Sequence, residues 1–68
     1  MLIEELDLII TITDVNSEIK KDTIGVVLSI SGDGKTYLVE FIDKSNNTIG
    51  NGMTIVNNQQ VRLLKKGN

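Results

Sequence analysis

Residues 22–43, DTIGVVLSISGDGKTYLVEFID, are two alternating apolar runs joined by a glycine-rich turn. Ile24, Val26, Leu28 and Ile30 share one parity and Tyr37, Val39 and Phe41 the other, the period-two signature of strands that bury one face. Putting both sets on one face requires an even-numbered loop, and Gly32-Asp33-Gly34-Lys35 supplies four residues with Ser31 opposite Thr36. That hairpin register pairs Ile30 with Tyr37, Leu28 with Val39 and Val26 with Phe41. It leaves Val27, Leu38, Glu40 and Ile42 on the outward side.

The rest of the chain has the same β character. Ten Ile, six Val and six Thr make 22 of the 68 residues β-branched, and Ala is absent; branched side chains lose rotamer freedom in helices and pack well on a pleated surface. Leu6, Leu8, Ile10 and Ile12 alternate with Asp7, Ile9, Thr11 and Thr13 as a first strand. Residues 14–23 form a polar loop in which Ile19 alone is placed to tuck inward; Asp14 to Glu18 also reads as a helix start, but no apolar stripe follows it. Gly25, with its side-chain position outward, marks a bulge or a close approach of backbone. After the turn at residues 43–47, Thr48-Ile49 restart a strand that Gly50-Asn51-Gly52 kinks before Met53 to Val56, and Val61 to Leu64 form the last strand. The expectation is one domain over residues 1–68, an all-β, five-stranded antiparallel SH3-like barrel with a frayed tail from about residue 65. In it acidic Glu4, Glu5 and Asp7 approach basic Arg62, Lys65 and Lys66 as exposed pairs.

Composition bounds what so small a chain can be. At this length only about 60% of the unfolded surface can be buried, and with neither Cys nor His in the sequence no disulfide or histidine-bound metal reinforces the core. A net charge of -2 offers no footprint for a phosphate backbone. No apolar run is longer than that of Leu8 to Ile10, far short of the roughly 20 residues of a membrane span, and Glu4, Glu5 and Asp7 spoil a signal peptide. A cytoplasmic location is expected.

The motifs resolve into turns. Gly32-Asp33-Gly34-Lys35-Thr36 ends like a phosphate-binding loop, but Ser29 stands where that loop needs glycine and a strand follows instead of a helix. Asp43, Ser45 and Asn47 begin with calcium-loop spacing, yet Thr48 and Thr54 occupy the positions of its glycine and glutamate. Asn46-Asn47-Thr48 matches a glycosylation sequon, which has meaning only on export. Glu40 and Asp43 have odd spacing, i to i+3, which sends them to opposite faces of a strand. With no nucleophile and base, no carboxylate pair and no metal cluster in view, the expectation is a protein that is not an enzyme, with no cofactor, no metal and no small-molecule substrate.

Leu6-Asp7-Leu8-Ile9, the run Ile19-Lys20-Lys21-Asp22-Thr23-Ile24-Gly25-Val26-Val27, Tyr37 to Asp43 and Thr48-Ile49 together resemble a small bacterial family catalogued as domain of unknown function 4926. The likeness covers nearly the whole chain. It departs where Asp22 replaces a glycine and Thr23 an acidic residue before the second strand, and where the first loop lacks a proline. The resemblance implies an SH3-like barrel and carries no established activity or catalytic residue.

Function is therefore sought in the outward apolar surplus: Ile9 on the first strand, and Val27, Leu38 and Ile42 around Glu40 on the hairpin. The first reading is a non-catalytic protein-interaction module, for instance an inhibitor or immunity-type partner, that binds another protein or itself as a homodimer through Val27, Leu38, Glu40 and Ile42. Because Tyr37 and Phe41, the only aromatics, point inward, neither a proline-rich peptide groove nor base stacking is expected. The alternative is a KOW-like RNA- or ribosome-associated barrel that uses Lys20, Lys21, Lys35 and Lys44 on neighbouring loops.

Overall fold

The computed structural model describes residues 2–67, which form five strands and no helix. β1 (Leu8–Thr11), β2 (Ile24–Ile30), β3 (Thr36–Ile42), β4 (Thr48–Asn57) and β5 (Val61–Lys65) make one antiparallel sheet in the order β4-β3-β2-β1-β5. The ladder has two ends, β4 and β5, and does not close on itself.

The turns follow the chemistry of their residues. Ser31 N–H donates to Thr36 O at 2.9 Å and closes the β2–β3 hairpin, as the loop length requires. Within it Gly34 takes φ +72°, and Asp33 Oδ1 accepts from Ser31 Oγ and Lys35 N, which holds the Asp33 carboxyl below its usual range. In the β3–β4 turn Asp43 Oδ1 accepts from the amides of Ser45 and Asn47, and Asn46 adopts φ 64°. Residues 12–23 contain no helix; Asn16 Oδ1 instead accepts from the Glu18 and Ile19 amides, a local bond that competes with helix formation. That turn drives Ile19 into the core, where it is 1% exposed.

Within the hairpin the expected register holds only next to the turn. Ile30 faces Tyr37, but Val27, not Leu28, faces Val39, and Gly25, not Val26, faces Phe41. Leu28 is an extra residue, a β-bulge between Val27 and Ser29, and one extra residue exchanges the faces of everything before it. Ile24 and Val26 therefore move to the outer face beside Ile42 and Glu40, and Val27 becomes fully buried.

Packing explains why the bulge is there. Ile9 on β1 and Phe41 on β3 both face Gly25 across the sheet, so two of the largest core side chains converge on one position of β2. A Cβ at Gly25 would lie 2.5 Å from Val39 Cγ1 and 2.8 Å from Phe41 Cδ1. Only glycine fits. The glycine therefore points inward, and the close approach there is of side chains.

β1 is shorter than its alternation suggests and shows the opposite parity. Ile9 is fully buried while Leu8 and Ile10 are half-exposed; Leu6 (φ 70°) and Ile12 lie outside the strand, 59% and 45% exposed. The core comprises Ile9, Ile19, Val27, Tyr37, Val39, Phe41, Val56 and Val61, with Ile3, Val15, Ile30 and Ile49 packed against it. Burying such an aliphatic or aromatic side chain contributes about 1.5–3 kcal/mol.

Two polar residues share this interior. Thr11 Oγ1 donates to Lys20 O and accepts from Thr23 N. Asp7, 2% exposed, accepts from Glu4 N, Gly67 N and Lys66 Nζ at 2.7–2.8 Å. The ammonium of Lys66 first, then the Gly67 amide, lowers the Asp7 pKa from 3.8 to about 2, and the same contact raises that of Lys66. Lys66 also reaches Glu4 Oε1 and Leu2 O. The pairing of acidic lead-in with basic C-terminal segment thus exists, but its centre is a buried carboxylate instead of an exposed pair, and residues 65–67, expected as a frayed tail, are tied down. Asn68 lies outside the described residues.

Candidate interaction face

Because cross-strand partners share a face of a sheet, the register defines the outer surface. Leu38, Glu40 and Ile42 lie together on β3, each half-exposed. Their neighbours on β2 are Ser29, Val26 and Ile24, and on β4 Ile55, Met53 and Thr48. Beyond β2 come Leu8 opposite Val26 and Ile10 opposite Ile24. The face thus carries branched and long apolar side chains on four strands, with Ser29 and Thr48 at its margins and Glu40 the one carboxylate among them. Glu40 Oε2 accepts a hydrogen bond from Thr48 Oγ1.

Three of the four residues expected to bind a partner, Leu38, Glu40 and Ile42, are brought together here. Val27 is not. It lies in the core with no exposed surface, and Val26 and Ile24 take the place proposed for it. Ile9 is likewise removed from the outer surface. The residues missed by alternation are Leu8, Ile10, Ile24, Val26, Met53 and Ile55. A signal for three of them, Leu8, Ile10 and Val26, was present in the unbroken apolar runs Leu8-Ile9-Ile10 and Val26-Val27-Leu28, since a strand with two apolar faces reads as a run and not as an alternation.

Two open grooves flank the sheet. One, of about 430 Å³, is lined by Asp22, Thr23, Ile24, Ile42, Asp43, Lys44, Asn46 and Ile49; the other, of about 550 Å³, by Leu2, Ile3, Gly34, Tyr37, Asn58, Val61, Arg62 and Leu63. In the first, Asp43 is already engaged through Oδ1 with its own turn. Among the described residues no three of His, Cys, Asp or Glu are grouped to hold a metal ion. No helix among them is long and apolar enough to cross a membrane.

The lysines of the alternative reading divide between the ends of the hairpin. Lys20 and Lys21 precede β2 and Lys44 follows β3, at one end, whereas Lys35 sits in the β2–β3 turn at the other, about 20 Å away along seven-residue strands. They do not form one patch. Comparison with known proteins supplies no activity to transfer, because no family model, no curated protein and no solved structure matches the chain.

Proposed function

We propose that this chain is a non-catalytic protein-interaction module that engages another protein, or a second copy of itself, through the outer face around Leu38, Glu40 and Ile42, with Val26 and Ile24 in the position first given to Val27. The observation that carries this reading is the continuity of the face. Apolar side chains, half-exposed on β1, β2 and β3 and exposed at Met53 and Ile55 on β4, adjoin one another across the face, with Glu40, Ser29 and Thr48 as its polar members, and contiguous apolar patches mark contact surfaces where scattered ones do not. The small SH3-like barrel, the bacterial family named above, a cytoplasmic location and an inhibitor or immunity-type role are parts of the same reading. The five-strand antiparallel order supports the first of these.

The test is a double substitution, Leu38→Lys with Ile42→Lys, made on half-exposed positions so that the fold survives. Wild type and variant are compared as bait in extracts of the native host, with far-UV circular dichroism to verify folding. Loss of the same bound protein from a folded variant supports the face. An unchanged bound set removes it. The KOW-like alternative predicts salt-sensitive retention on RNA, and the division of its lysines between two ends of the hairpin weighs against it.

A further inference from the structure

The outward edge of β4 alternates residues that bond to β3 with residues whose N–H and C=O face away from it. Asn58 N–H donates to Lys35 O at 2.9 Å, and Thr36 and Tyr37 face Asn57 and Val56. N–H and C=O groups of alternate residues in a strand point the same way, so Val56 and Thr54 bond to β3 while Met53, Ile55 and Asn57 point away from the sheet. Consistently, the Asn57 amide is met by Gln60 Oε1 at 2.9 Å. Met53 and Ile55 remain as the open edge, their side chains 58% and 70% exposed.

The edge of β5 is defended and that of β4 is not. β5 carries Arg62 and Lys65, and Leu2 and Ile3 lie beside Val61 and Leu63 in the groove along it. Charge, proline or a covering segment is how sheet edges avoid pairing with other chains. The ten residues of β4, TIGNGMTIVN, contain no charge and no proline. Gly50 and Gly52, at φ +70° and +103°, distort only its first half.

We propose that this edge is the docking site for a second copy of the chain, with two β4 strands antiparallel about a two-fold axis through Thr54. In that register Met53 of each copy faces Ile55 of the other. Both are outward-pointing residues, so each pair exchanges two N–H···O bonds, four in all, and Thr54 faces its own symmetry mate without hydrogen bonds. The arrangement is closed and self-complementary, as a two-fold interface requires. No charge on either strand opposes it, and Met53 and Ile55 adjoin their counterparts on the outer surface. Pairing β4 with β5 of another copy would instead meet Arg62 and Lys65 and leave edges at both ends. This dimer pairs the backbone edge of β4, whereas the reading above uses the side chains of the outer face, whose β4 margin is also Met53 and Ile55; Leu38→Lys with Ile42→Lys changes the face and leaves the edge intact, which separates the two.

The contact is small, so the dimer forms reversibly. Sedimentation equilibrium between about 10 µM and about 1 mM, the range of weak interfaces, is expected to show the mass rising from 7.5 kDa towards twice that value. Ile55→Pro removes an amide that the monomer does not use, which an edge strand tolerates, and should hold the mass at 7.5 kDa with an unchanged circular dichroism spectrum. Met53→Lys should do the same through charge and serves if the proline variant does not fold. Amide exchange at Met53 and Ile55 should slow with concentration in the wild type alone. A wild type monomeric throughout the range overturns the proposal, as does a dimer that survives both edge variants or one abolished only by Leu38→Lys with Ile42→Lys.

Discussion

Both faces of this sheet carry large apolar side chains, yet they differ in exposure and in how their polar groups are held. The inner face holds the largest side chains and also Asp7 and Thr11, each fully provided with hydrogen-bond partners. The outer face holds Leu8, Ile10, Ile24, Val26, Leu38 and Ile42, all half-exposed. Hydrophobicity alone therefore does not say which face is the core. Geometry does: the inner face is the one where Gly25, between Ile9 and Phe41 in the register, leaves room for the Val39 and Phe41 side chains.

Val26 and Val27, identical and adjacent, give the largest expected difference between the faces. Val27→Lys places an unpaired charge at a site with no exposed surface, a change of about 4 kcal/mol or more. A domain of this size holds only roughly 3–10 kcal/mol in total, so the variant should be largely unfolded by circular dichroism without denaturant. Val26→Lys should stay within about 1 kcal/mol of wild type in urea unfolding. Equal effects of the two substitutions would mean that the faces are assigned wrongly.

Gly25→Ala sharpens the same comparison at smaller scale. Its methyl would press on Val39 Cγ1 and on the Phe41 ring, and overpacking of this kind costs about 1–3 kcal/mol. An alanine that left the urea midpoint unmoved would show that the Ile9-Gly25-Phe41 row is looser than its geometry. Deleting Leu28 should do less, about 1 kcal/mol or below, because removing the bulged residue lets Val27 and Ser29 pair continuously with β3 while every side chain keeps its face. Without the bulge in the wild type, the same deletion would turn Ile24 and Val26 over and unfold the protein.

That deletion also marks where the sequence stops being legible. The five strands, the four-residue hairpin turn, the Asx turn at Asp43, the inward Tyr37-Val39-Phe41 set and the insertion of Ile19 all follow from local rules, because each depends on residues within a few positions of one another. The parity of β1 and β2 does not. It depends on a single extra residue, and both valines at 26 and 27 suit either face. Gly25 could be read only as a bulge or a close approach; that it stands opposite the only phenylalanine follows from the bulged register and not from the alternation. Of the candidate site, Leu38, Glu40 and Ile42 were readable because β3 carries no bulge between Tyr37 and Glu40. Val27 was lost with the register of β2.

The smallest predicted effect concerns the polar part of the inner face. Asp7 has its pKa lowered from 3.8 to about 2 by Lys66 and the Gly67 and Glu4 amides. A depressed folded-state pKa means that the unfolded chain takes up the proton first, so the stabilisation is complete above about pH 4 and disappears as pH falls towards 2. Asp7→Asn removes the titrating group. Its stability should be lower at pH 7 but should change less between pH 4 and pH 2 than that of the wild type, with other carboxylates supplying what slope remains. Lys66→Ala should flatten the same interval, since it removes the main cause of the shift. Urea unfolding of the three proteins at intervals across that range would read the two slopes, and parallel curves would show that the carboxylate at the foot of β1 is not what fixes the C-terminal segment to the sheet.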